Sequence, residues 1–424
     1  MKMRTLSGAA LAAMCALVAA RTPAAAVGAI AVAGAGAAGV VKAPADGKPG
    51  QVTWRSIGPA HFGAMFGPGI SPHDSKVIVC GTDMGNAFMT RDGGKTWKIL
   101  GRNGAEPFGN PGYRGMWNSC FDPKRPERIF IGSEHGLYRT TDGGENWRLL
   151  LGGKPADTVG AISVDPTDPN IVYCANGAGA RHDTLWSRGD VWKSTDGGDT
   201  WRAITPGGAG KCKGQSWVNF AMDRQSAFVA GRGHSRVYLY GHRDFMVSED
   251  AGETWTSLKA SVPGGQRVSG LVLVPGRERA TLLAAVAVDV VGPDLPAASQ
   301  AGKKQMVGGV YRSEDGGKTW TEKNKGLEKT VSHMATKGKR EYSYFLLVGC
   351  AAKPSVMYLA CSPAGIFKTE DGGETWRGTL ATGIDWVPTK DFDGKTDTHW
   401  RLRKHGGNLD QSFYNNWGPA NGLA

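Results

Sequence analysis

One eight-residue motif, which we call the box, occurs six times along the chain. It reads Ser or Thr, any residue, Asp, Gly or Ala, Gly, any residue, Thr or Asn, and Trp. The six copies begin at Thr90, Thr140, Ser194, Ser248, Ser313 and Thr369. Their Asp residues lie 50, 54, 54, 65 and 56 residues apart. A repeat of this length indicates one supersecondary unit copied along the chain, so it constrains the architecture before any single element is assigned.

The residues around each box alternate between apolar and polar types. The segments that lead into it, such as GLYRT at 136–140 and GIFKT at 365–369, have the period of two that is typical of a strand with one buried face. Asp-Gly-Gly is hairpin-turn chemistry, because Asp accepts hydrogen bonds from nearby amides and Gly adopts positive φ at little cost. The box Trp then begins a return strand. Two further strands lie upstream and are joined by a Pro-containing turn, as in AISVDPTDPNIVYCAN at 161–176.

Four antiparallel strands in each repeat are typical of one blade of a β-propeller. We therefore predict an all-β fold over residues 51–424: a β-propeller of four-stranded antiparallel blades, with six box repeats and a partial or composite seventh blade. The seventh is suggested by residues 413–424, which resemble the start of earlier repeats. Two explanations stay open. Either the chain is a truncated form of a longer protein with further blades, or its last strand closes the ring with residues 51–58.

The first 50 residues differ in composition from the rest. Met1–Arg4 is basic, and residues 5–20 carry no charge. This pattern is typical of a secretory signal and is short for a membrane span. We predict a signal peptide at 1–26, an Ala/Gly-rich linker at 27–50, and a secreted or periplasmic (cell-envelope) protein with no membrane span after cleavage.

Charge and cysteine content narrow the expected partners. The formal charge of +12 is spread along the chain, and no basic run is paired with an aromatic platform, so we expect no nucleic-acid partner. A basic surface can bind a polysaccharide, another glycan or an anionic envelope protein. The alternative is that these charges only face solvent.

The cysteines show no metal-binding spacing. Those at 80, 174 and 361 share one position in the repeat and are interpreted as small buried apolar residues. The alternative for Cys361 is a single disulfide with Cys350, on a paired strand. We expect no metal and no cofactor.

The boxes resemble the Asp-box (BNR) repeats of sialidases, of family 74 xyloglucanase-type glycoside hydrolases, of sortilin-type receptors and of a photosystem assembly factor. The resemblance covers about residues 54–380. It implies a β-propeller in which the box lies on an outer hairpin, away from the central site. The box aspartates are therefore expected to stabilise turns and to have no catalytic role; they are Asp92, Asp142, Asp196, Asp250, Asp315 and Asp371.

Two of the connections between second and third strands are long, and long loops at a propeller mouth are frequently functional. The first contains carboxylates, guanidinium groups and an indole, which suit sugar hydroxyls and the face of a pyranose ring. The alternative is a solvated loop with one packed Trp. Three tryptophans near first strands either stack on sugar or pack between blades: Trp117, Trp217 and Trp417. The candidate substrate-binding residues are Arg181, His182, Asp183, Trp186, Arg188 and Asp190.

The segment GTDMGN at 81–86 resembles the Thr-Asp-Ile-Gly-Gly segment in the first blade of family 74 xyloglucanases. In that family the Asp is a catalytic carboxylate, so the resemblance implies that Asp83 is the catalytic base. Asn86 departs from the family pattern. Inverting hydrolysis needs a second carboxylate about 6.5–9.5 Å away, which that family takes from a second propeller. Candidates for it here are Glu134, Asp183, Asp190 and Asp244.

These residues predict a carbohydrate-active propeller, similar to a glycoside hydrolase that acts on a β-glucan-type polysaccharide. The alternative is a non-catalytic propeller that binds a glycan or a protein, as sortilin-type and assembly-factor propellers do. A sialidase is disfavoured, because those enzymes carry an Arg-Ile-Pro segment that this chain lacks.

Overall fold

The computed structural model describes the chain in segments between residues 65 and 402. The described ranges are 65–82, 87–100, 116–133, 135–152, 158–176, 189–212, 215, 217–228, 233–241, 244–265, 267–276, 279–287, 309–327, 345–350, 353–361, 365–378, 386–390 and 396–402. The predicted signal peptide and linker, residues 1–50, lie outside them. So do residues 413–424, on which the prediction of a seventh blade depends.

The first three repeats each fold into a four-stranded antiparallel sheet, or blade, with strands in chain order. Blade 1 contains β1 (Met65–Ile70), β2 (Ile78–Thr82), β3 (Ala87–Thr90) and β4 (Lys98–Leu100). Blade 2 contains β5 (Met116–Phe121), β6 (Ile129–Ser133), β7 (Gly136–Thr140) and β8 (Arg148–Gly152). Blade 3 contains β9 (Val159–Val164), β10 (Val172–Asn176), β11 (Val191–Ser194) and β12 (Arg202–Ala203).

The next three repeats have the same order. Blade 4 contains β13 (Trp217–Asp223), β14 (Arg236–Gly241), β15 (Phe245–Ser248) and β16 (Thr256–Ser257). Blade 5 contains β17 (Arg267–Val274), β18 (Thr281–Ala287), β19 (Gly309–Ser313) and β20 (Thr321–Glu322). Blade 6 contains β21 (Phe345–Gly349), β22 (Met357–Cys361), β23 (Gly365–Thr369) and β24 (Arg377–Gly378).

The six blades form a propeller ring, which confirms the predicted fold class. A separate two-stranded sheet of β25 (Trp386–Lys390) and β26 (Thr396–Leu402) follows blade 6. It does not constitute a seventh blade, which stays a prediction. Three short 3-10 turns, at 224–227, 259–261 and 263–265, are the helical elements of the described residues. None of the described helices is long and apolar enough to cross a membrane.

The hydrophobic core lies between neighbouring blades. Five clusters of buried side chains fill the five junctions from blade 1 to blade 6. In the second strand of a blade, alternate residues face opposite neighbours: Tyr173 packs in the junction with blade 4, whereas Val172 packs in the junction with blade 2. Cys80 and Cys174 are fully buried free thiols, as predicted. Each fully buried large side chain contributes about 1.5–3 kcal/mol of hydrophobic stabilisation.

A β-bulge recurs in the innermost strand. In blades 1 to 5 one extra residue interrupts the pairing of the first strand with the second, close to the beginning of the first strand. In blade 2, for example, Met116 pairs with Ser133 and Asn118 with Gly132, so Trp117 is the extra residue. The pairing of β21 with β22 in blade 6 runs without a shift. A bulge bends a strand and redirects its side chains.

Candidate functional site

The two ends of the blades carry different connections. At one end, which we call the turn end, first strands lead into second strands and the box joins the third strand to the fourth. At the opposite end, the loop end, second strands lead into third strands. The connection from Thr82 to Ala87 and the long connection from Asn176 to Val191 both belong to the loop end. The bulges lie at this end too, because each is near the start of a first strand.

Most of the predicted site residues lie in these connections and outside the described residues. They are Asp83, Glu134, Arg181, His182, Asp183, Trp186 and Arg188. Their roles therefore stay predictions. The structure describes the strands from which these connections leave, together with Asp190 and Asp244.

Hydrogen bonds fasten the base of the long connection. The Asn176 amide donates to the Asp190 carbonyl at 3.0 Å, and the Asn176 side-chain oxygen accepts from the Asp190 amide at 3.3 Å. The Asn176 side-chain nitrogen also donates to the Thr158 carbonyl at 3.0 Å. One residue thus ties both ends of the loop to the start of the innermost strand. Hydrogen bonds of this kind fix the positions at which a loop begins and ends, so the loop has less conformational entropy to lose when it binds a ligand.

A second fastening involves the neighbouring blade. The Trp217 indole donates to the Gly189 carbonyl at 2.9 Å, and Trp217 is 1% exposed. Gly189 has φ of 65°, and a Cβ there would lie 2.0 Å from the Cys212 carbonyl oxygen. Only Gly fits this contact. The burial of Trp217, and of Trp117 at 3% exposure, confirms that both pack inside the protein rather than offering a stacking surface.

Two candidate carboxylates lie near one thiol at the loop end. Burial, followed by the charges of Asp244 and Asp190, raises the pKa of Cys212 to about 11. The Asp244 carboxylate accepts from the Phe245 amide at 2.8 Å and from the Ser257 hydroxyl at 2.6 Å. Asp190 and Asp244 thus belong to adjacent blades, and both carboxylates act on the same thiol.

The second strand of blade 1 and the innermost strand of blade 2 approach each other closely at Gly81. A Cβ on Gly81 would lie 2.4 Å from the Met116 carbonyl oxygen, so the residue two before Asp83 must be Gly. A Cβ on Gly132, at the matching place in blade 2, would lie 2.3 Å from the Val159 carbonyl oxygen. The Asn118 side chain donates to the Gly160 carbonyl at 2.9 Å, which links two bulges. These contacts hold the inner parts of blades 1, 2 and 3 close to one another. Sequence reasoning missed Asn118 and Asn176, since nothing in the repeat distinguishes them from solvated polar residues.

The boxes form self-contained hydrogen-bonded hairpins at the turn end. In the third box the Asp196 carboxylate accepts from the Ser194 hydroxyl at 2.7 Å and from the Thr200 amide and hydroxyl at 2.9 and 2.6 Å. These hydrogen bonds, with that of the Thr200 side chain the largest, hold the pKa of Asp196 well below its usual range. All six box aspartates make this type of contact. Their carboxylates are occupied in the hairpin; the absence of a catalytic role stays a prediction.

The described residues contain no group of three His, Cys, Asp or Glu side chains placed to hold a metal ion. Among the described residues, the loop end carries the carboxylates of Asp190 and Asp244 and the side-chain amides of Asn118 and Asn176. Carboxylates and amides are the groups that bind sugar hydroxyls and transfer protons to glycosidic oxygen.

The fold and its repeated hairpins define a β-propeller whose six described blades each carry a box on the outer hairpin. No protein-family model matches the chain. The chain is similar to a xyloglucanase of Paenibacillus sp., with 24% identity over 383 residues that cover 80% of this chain and 33% of the relative. A xyloglucanase of Hypocrea jecorina is 25% identical over 361 residues, covering 74% of this chain and 38% of the relative. These findings confirm the resemblance to family 74 xyloglucanases that the boxes and the GTDMGN segment suggested.

The solved structure of the family 74 xyloglucanase from Xanthomonas campestris has the same fold over most of this chain. Its TM-score is 0.54 at 18% identity, with 78% of this chain and 47% of that chain covered. At this identity the likeness concerns the fold alone. The chain spans about a third of the length of the Paenibacillus and Hypocrea relatives.

Proposed function

We propose that the protein is an exported, carbohydrate-active propeller that acts as a glycoside hydrolase on a β-glucan-type polysaccharide. The observation that carries the proposal is the sequence similarity to xyloglucanases over 80% of the chain, together with the GTDMGN segment. Asp83 is assigned as the catalytic base, and the long loop with Arg181, His182, Asp183, Trp186, Arg188 and Asp190 as the substrate-binding surface.

The described residues that support this assignment are those of the strands from which the Asp83 segment and the long loop leave. The strand that leads toward Asp83 packs tightly against blade 2 at Gly81, and hydrogen bonds of Asn176 join the two residues at which the long loop begins and ends. Catalysis requires functional groups held by such supports. The candidates for the general acid are Glu134, Asp183, Asp190 and Asp244, of which the last two lie among the described residues.

The experiment is a hydrolysis assay of the purified chain on xyloglucan, on other β-glucans and on aryl β-glycosides. Asp83→Asn should lower kcat by about 100-fold or more, because loss of general base catalysis costs about 10²–10⁴ in rate. The matched control is Asp74→Asn, an exposed carboxylate at the turn end of the same blade, which should leave kcat unchanged. Equal activity of Asp83→Asn and the unsubstituted protein would remove Asp83 from the mechanism.

A second candidate function is binding without hydrolysis. It is supported by Asn86, which departs from the family pattern in the segment that carries Asp83. The same preparation decides between the two. Saturable retention of a β-glucan without release of reducing ends would favour binding, and release of reducing ends that depends on Asp83 would favour hydrolysis.

A further inference from the structure

Five of the six boxes contain the dipeptide Asp-Gly, whose main chain can rearrange without an enzyme. The fourth box has Ala251 in the place of that Gly. Asp-Gly is especially prone to this isomerisation, because glycine has no side chain to hinder attack by its own backbone nitrogen. The boxes therefore present the same pair of reacting groups in several different surroundings. The five Asp residues are Asp92, Asp142, Asp196, Asp315 and Asp371.

The reaction is a ring closure followed by hydrolysis. The backbone nitrogen of the Gly loses its proton and attacks the side-chain carboxyl carbon of the Asp, and a water molecule leaves as a succinimide ring forms. Water then opens the ring at either of its two carbonyl groups. One opening restores Asp, and the other gives isoaspartate, in which the main chain runs through the former side chain. Water is released and taken up again, so no oxidant or second reactant is needed.

In four of these boxes the attacking nitrogen is engaged in a hydrogen bond. The Gly N–H donates to the carbonyl of the residue two places before the strand partner of the box Ser or Thr. The nitrogen can attack only after this hydrogen bond has opened, so these four boxes are protected. The pairs are Gly93 with Lys76 at 3.0 Å, Gly143 with Glu127 at 2.8 Å, Gly197 with Asn170 at 2.8 Å, and Gly372 with Ser355 at 2.9 Å.

The fifth box lacks this protection. The carbonyl at the corresponding position is that of Ala280, two residues before the strand partner of Ser313. Within the part of the chain that the structure describes, the Gly316 N–H donates neither to Ala280 nor to another acceptor. The Arg279 side chain lies against the box instead, so closely that a Cβ on Gly316 would collide with its guanidinium.

The same arginine acts on the peptide group that reacts. The Arg279 Nη1 donates to the Asp315 carbonyl oxygen at 2.7 Å. This carbonyl and the Gly316 nitrogen belong to one peptide group, and a cationic donor at the oxygen draws electron density from the nitrogen, so the proton is lost more readily. In the third box, by contrast, the Arg139 guanidinium donates to the next carbonyl along the chain, that of Gly197, at 2.8 Å.

The carboxyl groups do not distinguish the fifth box from the sixth. Asp315 accepts from the Thr319 amide and hydroxyl at 2.9 and 2.6 Å, and Asp371 accepts from the Thr375 amide and hydroxyl at 2.9 and 2.5 Å. The difference between the two boxes therefore lies at the nitrogen of the Gly.

We propose that Asp315 is a site of spontaneous modification, which forms isoaspartate faster than the Asp of any other Asp-Gly box. The product lengthens the main chain within the outer hairpin of blade 5 and withdraws the carboxylate from its contacts with Ser313 and Thr319. The inference concerns the outer hairpin alone and is independent of the proposed hydrolase function.

The first test maps isoaspartate by mass spectrometry of peptides from the full chain after storage at neutral pH and physiological temperature. Asp315 should convert about 2- to 10-fold faster than Asp371, the factor by which one hydrogen bond of ordinary net strength lowers the population of free N–H groups. Asp371 is the matched comparison, because EDGGE in the sixth box differs from EDGGK in the fifth at one residue. Equal rates at the two sites, or a slower rate at Asp315, would overturn the proposal.

Storage in concentrated urea separates the fold from the local sequence. The hydrogen bonds are lost there, so Asp315 and Asp371 should convert at the same rate. If the difference between the two sites persists in urea, it comes from the neighbouring residues and the proposal is wrong.

A substitution tests the role of the arginine. Arg279→Met should lower the rate at Asp315 in the folded protein to about that at Asp371, because it removes the cation from the reacting peptide group. The matched control is Arg139→Met, which should leave the rate at Asp196 unchanged, since that guanidinium binds the next peptide group. An unchanged rate at Asp315 in Arg279→Met would exclude Arg279 from the reaction.

Discussion

At the scale of single residues, each box is a hairpin held by hydrogen bonds, in which the two residues after the Asp have positive φ. In the sixth box, Gly372 and Gly373 have φ of 74° and 92°. The fourth box has Ala251 in the first of these places, with φ of 57°, and Ala251 is the one described residue other than Gly with positive φ. An L-residue in this region costs roughly 1–2 kcal/mol. The fourth box is therefore held by its contacts with the surrounding blades, among them the 3.0 Å hydrogen bond from the Tyr173 hydroxyl to the Ala251 carbonyl.

Two reciprocal substitutions test this strain. Ala251→Gly should raise the free energy of unfolding by about 0.5–1 kcal/mol, because relief of the backbone strain exceeds the added entropy of the unfolded chain. Gly372→Ala should lower it by a similar amount, since a Cβ there meets nothing within 4 Å and backbone strain is its main effect. Urea denaturation measures both. Shifts of the same sign in the two variants would show that φ does not control the stability of the box.

At the scale of the element, the turn from the first strand to the second joins blades. In blade 2 the Asp122 carboxylate is fully buried and binds Arg128, which is 6% exposed. The Arg128 guanidinium also donates to the Pro169 carbonyl in blade 3, and His73 of blade 1 contacts the Asp122 carbonyl oxygen at 2.8 Å. This turn thus contacts both neighbouring blades. The Arg128 guanidinium of the buried ion pair binds blade 3, and the Asp122 carbonyl oxygen contacts blade 1.

Asp122→Asn should be strongly destabilising. It leaves Arg128 buried without a counter-charge, and breaking a buried pair in this way costs about 3–5 kcal/mol. The control is Asp74→Asn in the corresponding turn of blade 1, where the carboxylate is exposed and the cost should stay below about 0.5 kcal/mol. Urea midpoints that agree between the two variants would contradict a structural role for the buried pair.

The sequence predicted the blades well and their junctions poorly. Alternating strands and the box are local patterns, so the number of described blades, the hairpin turns and the burial of Cys80 and Cys174 could be predicted. The bulges, the Asn118 hydrogen bond and the ion pairs between blades, such as Arg139 with Asp199, depend on which residues of different blades meet. No local pattern contains that information. For the candidate site, the sequence suggested Asp83 through a family resemblance. It gave no sign that Gly81 is required by the backbone of the next blade.

At the scale of the whole molecule, the six box carboxylates act together on stability at low pH. The pKa of Asp371 falls from 3.8 to about 2: burial opposes the shift, and hydrogen bonds from Thr375 and Thr369 outweigh it. The pKa values of the other five box aspartates are also lowered. A carboxyl whose pKa is lower in the folded state stabilises the fold at pH above its unfolded pKa, and this contribution is lost as the pH falls through the folded pKa.

The melting temperature should therefore be nearly constant down to about pH 5 and fall progressively below pH 4. Thermal unfolding followed by circular dichroism between pH 7 and pH 2 measures this. Asp371→Asn should lower stability at pH 7 and make the decline at acid pH shallower, because one of the titrating groups is removed. A melting temperature independent of pH down to pH 3 would exclude the box carboxylates as acid-sensitive elements.

The repeated bulge has a consequence for how such a protein can change over time. It adds one residue at the start of five innermost strands, close to the loop end and far from the boxes. A bulge absorbs an inserted or deleted residue locally, so pairing beyond it keeps its register. Insertions near the loops can then accumulate without disturbing the outer hairpins. The turn end, with its boxes, can therefore stay the same while the sequences of the loop end change. New ligand specificities can arise in this way on an unaltered ring.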